Sequence, residues 1–344
     1  MFRSKTVFVV GAGASREAGL PTGTELRPVI ASKLDIRYKI NGELISGNRE
    51  IADALRGHAQ KNGEDVNSYL LQASKISEAM PQAISIDSFI DAHRGDASIE
   101  LCGKLAIAQA ILEAEGNSKL YFADYKQERF DPKKLSGTWY ENFFQLLTEN
   151  VRLEDLKHIF DNISFIVFNY DRCIEHFLYH SLRNYYCIAD RDAGELLEQL
   201  RISHPYGSVG RLPWQAEPSK GVAFGSKPPG TNFLGIASQI KTFTERAEDE
   251  SARDAIRSHI QEANTIVFLG FAFHPLNLEL ITPELPSDAT RVFGTAMRMS
   301  SEDLFVVEHD ISQMLKSNAL EISVNNALSC SSLFEYYWRS LSRR

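Results

Sequence analysis

The stretch that decides the fold is residues 6–15, TVFVVGAGAS. Its first half is a short, continuous run of β-branched and aromatic residues, typical of a strand buried on both faces in a parallel sheet. Its second half predicts a tight loop of small residues, whose backbone N–H groups could bind the oxygens of a pyrophosphate. The glycine spacing departs from the common G-x-G-x-x-G pattern, because position 16 is Arg and the next glycine is Gly19. Alone, the loop is equally consistent with a simple strand-to-helix turn.

Similar apolar runs recur later in the chain and predict the rest of a sheet. They are Ser164–Phe168, Thr265–Leu269, Thr290–Phe293 and a run near Leu320–Val324. The first three are followed by Asn or Gly, and ligands of open parallel sheets bind at the carboxyl ends of the strands. The sequence therefore predicts an α/β fold with a Rossmann-like parallel sheet, whose polar and glycine residues collect on one edge.

The middle of the chain has a different sequence pattern from the segments with apolar runs. Helical periodicity dominates residues 35–160, and strand-like runs are nearly absent there. We therefore expect a Rossmann-like nucleotide-binding and catalytic domain formed by residues 1–34 and 161–330, a mostly helical insertion at 35–160, and a C-terminal tail or helix end at 331–344. The predicted helices are a segment from 22–24 to Leu34, then Ile51–His58, Val66–Met80, Ile99–Glu113, Trp139–Thr148, Arg172–Arg183 and Ser301–Leu315.

Composition narrows the class of protein. The 344 residues carry a net charge of −8, which argues against direct nucleic-acid binding through phosphate contacts. None of the four cysteines forms a C-x-x-C pair, so no zinc site is expected. No run approaches the length of a membrane span, and the N-terminus lacks a signal-peptide pattern, so we expect a cytoplasmic protein that does not contact a membrane.

A longer motif is more specific than the glycine loop. Residues 9–22, VVGAGASREAGLPT, resemble the opening signature of the sirtuin family, in which G-A-G-x-S is followed by A-G-[IL]-P. Residues 169–171, NYD, resemble the family's N-x-D motif, and residues 204–208, HPYGS, resemble its H-G-S segment. Gly270 resembles a late glycine motif along the adenosine half of NAD. These segments stand in family order, although residues 35–160 have no clear match.

The resemblance implies NAD+ as the substrate and assigns roles to particular residues. The expected catalytic residues are Asn169, Asp171, His204 and Tyr206. The expected NAD-binding residues are Gly11, Ala12, Gly13, Ser15, Thr22, Asn169, Asp171, Gly270, Phe271 and Gly294.

The residue types suit cleavage of the bond between nicotinamide and ribose, which passes through a transition state with oxocarbenium character. Asp171 can accept a hydrogen bond from the nicotinamide amide, and Asn169 can hold a ribose hydroxyl and a water. His204 can act as a general base. The alternatives are structural, because Asn169 or Asp171 could cap the following helix and His204 could be a core histidine.

The sequence departs from the family at the histidine. The family histidine directly precedes its glycine, but here that position is Tyr206 and His204 lies two residues earlier. If His204 ends a strand, alternation would place it on the same face as Tyr206. Either side chain could then take the histidine's role.

A second departure concerns the substrate. Sirtuin deacylases carry zinc on two C-x-x-C pairs, and after A-G-[IL]-P they continue with Asp, Phe and Arg, where this chain has Thr22, Gly23 and Thr24. The chain instead resembles bacterial sirtuin-like NADases of anti-phage defence. That resemblance implies an NAD+ glycohydrolase, assembly into a homo-oligomer, and in some cases a HerA-type ATPase partner. The alternatives are an NAD or ADP-ribose sensor that regulates a partner, then a protein deacylase or ADP-ribosyltransferase, and last a dehydrogenase.

Overall fold

The protein is built around a six-stranded parallel sheet. The structure, a computed structural model, describes residues 2–123, 128–216, 220–227, 232–242, 245, 250–317 and 320–342. The strands of the described part are β1 Thr6–Val10, β2 Arg37–Tyr38, β3 Leu44–Ser46, β4 Ile163–Val167, β5 Arg201–Ser203, β6 Thr265–Leu269, β7 Arg291–Thr295 and β8 Glu321–Asn325. The main sheet has the order β5-β4-β1-β6-β7-β8, and β2 and β3 form a separate hairpin.

The order of the strands defines where a ligand can enter. The chain builds outward from β1 through β4 to β5, then returns to pair β6 with the other side of β1. The order therefore reverses between β1 and β6, which makes this the topological switch point of the sheet. This arrangement confirms the predicted Rossmann-like α/β fold. Every residue of β1, β4 and β6 is buried, which explains their uninterrupted apolar sequences.

Helices cover both faces of the sheet. They are α1 Ala12–Ser15, α2 Gly23–Leu34, α3 Arg49–Asn62, α4 Val66–Ala79, α5 Ile86–Ala92, α6 Ala97–Gly116, α7 Trp139–Thr148, α8 Cys173–Tyr186, α9 Asp190–Leu197, α10 Phe233–Ala237, α11 Glu250–Gln261, α12 Pro275–Ile281, α13 Ser301–Leu315 and α14 Cys330–Ser342. Short 3-10 helices lie at Arg16–Ala18, Pro132–Leu135, Leu153–His158 and Pro213–Gln215. No helix in these parts of the chain is both long and apolar enough to cross a membrane.

Strand β1 divides the core in two. Val7 and Val9 belong to the cluster that contains the buried residues of α2 to α6, whereas Phe8 and Val10 belong to the cluster on the opposite face. On that second face, Phe143 of α7 packs against Phe8, with ring centroids 5.4 Å apart. Helix α7, at the end of the stretch predicted as an insertion, therefore contacts the sheet directly.

Two local predictions were wrong. The predicted loop at residues 11–15 becomes α1 at Ala12 and continues as a 3-10 helix, because small residues allow a tight turn. Strand β7 runs through Gly294 to Thr295, so Gly294 lies within the strand. At the C-terminus, where a tail or a helix end was expected, helix α14 buries Leu333 and Phe334 against the second face of the sheet. Helix α5 and the β2–β3 hairpin were not predicted.

Candidate functional site

Three glycines bring the loops after β1 and β6 into backbone contact at the switch point. Gly13 N donates to Gly270 O at 3.0 Å, and Gly11 N donates to Leu269 O at 2.9 Å. A Cβ on Gly270 would lie 2.1 Å from Ala14 N, and its φ of +55° lies in the left-handed region. The glycines therefore serve loop packing, and two of the N–H groups expected to bind phosphate already donate within the protein.

Beside this contact lies an open cleft of about 740 Å³ over the carboxyl ends of β6 and β7. Of the predicted NAD-binding residues, Gly13, Thr22, Gly270 and Phe271 line the cleft. Gly294 is not among the lining residues, but the next residue, Thr295, is. The Thr295 hydroxyl accepts a hydrogen bond from Gly270 N at 2.8 Å, so β7 fixes the conformation of the glycine loop.

The rim of the cleft is held by the start of α2. Thr22 caps this helix, accepting from Glu25 N at 3.4 Å, while the Glu25 carboxylate accepts from Thr22 N at 2.8 Å. Arg16 forms an ion pair with Glu25 at 3.0 Å. This reciprocal capping explains why the helix begins immediately after Thr22, as the sequence indicated.

Glu17 also lines the cleft, and its role was not predicted from the sequence. Its carboxylate accepts from Trp139 N at 2.7 Å and from Ser331 N at 2.9 Å, so it joins α7 and α14 to the loop after β1. Burial raises the pKa of Glu17, against the opposing effect of these backbone hydrogen bonds. No spacing in the sequence marks this residue, because both partners are distant along the chain.

On the other side of β1, two predicted catalytic residues meet the glycine loop. Asn169 follows β4, and its amide donates to Ser15 Oγ at 2.9 Å. Both side chains are buried. Asp171 accepts from the N–H of Cys173, the first residue of α8, at 3.1 Å. Burial raises the pKa of Asp171, while hydrogen bonds from Cys173 and Ser15 oppose the shift. Asp171 therefore bonds to the start of α8, at the residue before the N-cap Arg172, whereas the Asn169 side chain bonds to Ser15.

His204 and Tyr206 do not share a face. His204 Nε2 lies 2.9 Å from Glu175 Oε1, and Nδ1 lies 3.3 Å from the main-chain oxygen of Asn169. The Tyr206 hydroxyl instead donates to Asn277 Oδ1 at 2.6 Å. A shared face was expected only if His204 ended a strand, and this condition is not met, because β5 ends at Ser203 and the chain then turns, with a hydrogen bond from Gly207 N to His204 O.

A buried ion pair supports the loop that carries Asn169 and Asp171. Arg172 and Glu115, from the end of α6, are almost completely buried and bonded to each other, with Arg172 Nε 3.1 Å from Glu115 Oε1. Glu115 also accepts from Gly225 N at 3.0 Å, and Arg172 donates to the main-chain oxygen of Val222. The pair was not predicted from the sequence, because its two members lie far apart along the chain.

The candidate site therefore has two parts, which meet at the loop after β1. The open cleft contacts the glycines, whereas Asn169 and Asp171 are buried and are not among the residues that line it. Within the described ranges, no group of three or more His, Cys, Asp or Glu side chains could hold a metal ion. The absence of zinc stays a prediction, which metal analysis of the purified protein would test.

The comparisons with known proteins find similarity among solved structures only. A scan against protein-family models finds no match, and a search of curated proteins finds none either. Among solved structures, the chain is similar to one described as a crystal structure of a Sir2 homolog–NAD complex. The match has 14% sequence identity and a TM-score of 0.40, and it covers 99% of this chain and 92% of that one.

Proposed function

We propose that this protein is an NAD+ glycohydrolase, which converts NAD+ and water into ADP-ribose, nicotinamide and a proton. The observation that carries the proposal is the hydrogen bond between Asn169 and Ser15, which joins the loops after β4 and β1 at the carboxyl edge of the sheet, next to the switch point between β1 and β6. Ligands of this class of sheet bind at that point. The same two residues belong to two of the motifs that resemble the sirtuin family.

The proposed binding mode divides NAD+ between the two parts of the site. The adenosine half would occupy the cleft beside Gly270, Phe271 and Thr295. The pyrophosphate would lie against the loop after β1, and the nicotinamide ribose would extend toward Asn169. Breaking the glycosidic bond leaves its electron pair on nicotinamide, and a water oxygen then bonds to the ribose carbon and loses a proton.

The direct test replaces Asn169 and compares it with a matched asparagine elsewhere. Asn142 also donates its amide to a serine hydroxyl, Ser331, at 3.1 Å, but it lies on α7 outside the motif set. We expect Asn169→Ala to lower NAD+ cleavage at least a hundredfold while the protein remains folded. Asn142→Ala should lose a similar hydrogen bond, which lowers the free energy of unfolding by about 1 kcal/mol. This variant should cleave NAD+ at the wild-type rate.

The measurement is separation of the products after incubation with NAD+, together with the thermal midpoint of each variant. Nicotinamide and ADP-ribose from the wild type support hydrolysis, and NADH would indicate redox chemistry instead. Normal turnover by a folded Asn169→Ala protein would remove this residue from the mechanism.

A second candidate function is a non-catalytic NAD or ADP-ribose sensor. One observation favours it: Asn169 and Asp171 are buried and lie away from the lining of the cleft, so a nucleotide could bind the glycine side alone. Calorimetric binding of NAD+ or ADP-ribose without any turnover would favour the sensor. Deacylation of an acyl-lysine peptide would favour the deacylase alternative.

The biological setting that we propose is depletion of NAD+ in the bacterial cytoplasm during anti-phage defence, by a homo-oligomer that in some systems works with a HerA-type ATPase. Support for this setting is the resemblance of the sequence motifs alone. Light scattering would measure the oligomer, and NAD+ levels in infected cells with and without the Asn169→Ala variant would test the defence role. Co-purification with a HerA-type ATPase would test the partner.

A further inference from the structure

We infer that His204 is a positioning residue, a protonated clasp between Glu175 and the main chain of Asn169, and not the general base of the reaction. The inference deepens the proposed NAD+ cleavage, on which its catalytic consequence rests. It concerns a ring that follows β5 and whose partners are contributed by two other elements, the first turn of α8 and the loop after β4.

The hydrogen-bond partners decide the protonation of the ring. The main-chain oxygen of Asn169 can only accept, and an ionised Glu175 can only accept. A neutral imidazole has one N–H, so one of its nitrogens would then direct a lone pair at an oxygen. With Nε2 at 2.9 Å from Glu175 and Nδ1 at 3.3 Å from Asn169, protonation of both nitrogens satisfies both contacts.

A shift of the proton to Glu175 would not create a base. In that state the carboxyl would donate to Nε2, while Nδ1 would still donate to the Asn169 oxygen. Both ring nitrogens therefore stay engaged within the protein, and neither presents a lone pair to a water or a ribose hydroxyl. A general base needs such a lone pair within hydrogen-bond reach of the proton that it removes.

The surrounding charges agree with a cationic ring. Burial lowers the pKa of His204, but the charge and hydrogen bond of Glu175, the Asn169 oxygen and the charge of Asp171 together raise the pKa above its ordinary value of 6.5. Lys241 and Arg253 are the cations that line the small pocket beside His204. Of the charged groups around His204, the Glu175 carboxylate bonds to the ring directly.

The clasp acts on the reaction through Asn169. His204 fixes the main chain of the residue whose side chain bonds to Ser15, so it sets the distance between the loops after β4 and β1. Hydrolysis is compatible with this role, because water that adds to an oxocarbenium-like carbon can lose its proton after the new bond has formed. No ribose hydroxyl needs to be deprotonated first.

The pH dependence of kcat/KM separates the clasp from a base, because the two require opposite forms of the ring. A base works when neutral, so activity would rise as the pH rises through the pKa of His204. The clasp works when protonated, so we expect activity to fall as the pH rises through that pKa, which lies above 6.5. Glu175→Gln removes the carboxylate, lowers that pKa, and should move the falling limb to lower pH.

Two variants complete the kinetic test. His204→Gln keeps a donor toward Glu175 but cannot act as a base, so we expect it to retain more than about a tenth of kcat, whereas loss of a base would cost a hundredfold or more. His158→Gln is the control, because His158 also pairs with a carboxylate, Asp161, at 2.9 Å, but it is exposed. The control should keep the wild-type profile. Activity that rises with pH, together with a hundredfold loss in His204→Gln, would overturn the clasp.

A readout without turnover keeps the two proposals separate. Nitrogen-15 NMR of labelled histidines, assigned with His204→Gln, reports whether both ring nitrogens carry protons at pH 6.5. Two protonated nitrogens, with a pKa that falls in Glu175→Gln, support the clasp even if the protein does not cleave NAD+. A neutral tautomer that is unaffected by Glu175→Gln would refute it, whatever the activity.

Discussion

At the carboxyl edge of the main sheet, the regions on the two sides of β1 are built in opposite ways. Between β1 and β6, glycine backbones touch each other and leave an open cleft beside them. Between β1 and β4, polar groups are connected by hydrogen bonds, from the Ser15 and Asn169 side chains, through the main-chain oxygen of Asn169, to His204 and the buried Glu175. On the first side, the lack of side chains on the glycines allows the loops to approach closely. On the second side, polar groups have hydrogen-bond partners within the protein. The difference teaches that glycine motifs can serve loop packing as much as ligand approach.

The buried polar side should be the more sensitive to the loss of one charge. Glu115→Gln leaves the Arg172 guanidinium buried without its carboxylate partner, and we expect a loss of about 3–5 kcal/mol in the free energy of unfolding. Denaturant unfolding measures it. Asp53→Asn breaks an exposed pair with Arg56 and should cost less than about 1 kcal/mol.

The double variant Glu115→Gln/Arg172→Met sharpens this comparison, because it removes both charges and should recover part of the loss. If Glu115→Gln costs no more than Asp53→Asn, the ion pair does not support the Asn169 loop as strongly as its burial implies.

On the glycine side, the expected effect is smaller and comes from backbone strain. Gly270→Ala places a Cβ against the backbone of Gly13 and Ala14 at a positive φ, and we expect a loss of about 3 kcal/mol in unfolding free energy. Gly57→Ala is the matched control, because Gly57 lies inside α3 with no atom within 4 Å of an added Cβ. That change should be neutral or stabilise by up to about 1 kcal/mol.

The two glycine variants contradict the packing argument if they have the same thermal midpoint. In that case the loop after β6 could shift away from β1 without penalty, and the contact between the loops would not explain the glycines.

At the rim of the cleft, the smallest effect is expected. Thr22→Ala removes the side-chain acceptor of the α2 capping box and should cost about 1 kcal/mol of stability. Thr22→Ser keeps the hydroxyl and should remain close to the wild type. Because Thr22 also lines the cleft, a calorimetric measurement of NAD+ affinity shows whether the hydroxyl has a second role. Equal stability of the two variants would mean that the cap contributes little.

The sequence by itself determined five of the six strands of the main sheet, all except β5. Five-residue apolar runs such as residues 6–10 and 265–269 predict buried parallel strands, because helices cover both faces and no polar alternation is needed. It also placed Asn169, Asp171, His204 and Gly270 after strand ends, which parallel topology brings to one edge. Helices with strong start signals were predicted closely, as with Thr22 before α2.

Only the tertiary structure decided how these residues are used. In the folded protein, His204 bonds to Glu175 and Tyr206 bonds to Asn277, because a turn after β5 interrupts the alternation of side chains. It also paired Glu115 with Arg172 and made α14 part of the core. Such contacts join residues that are distant along the chain, and their energies depend on burial, which local patterns in a single sequence do not encode.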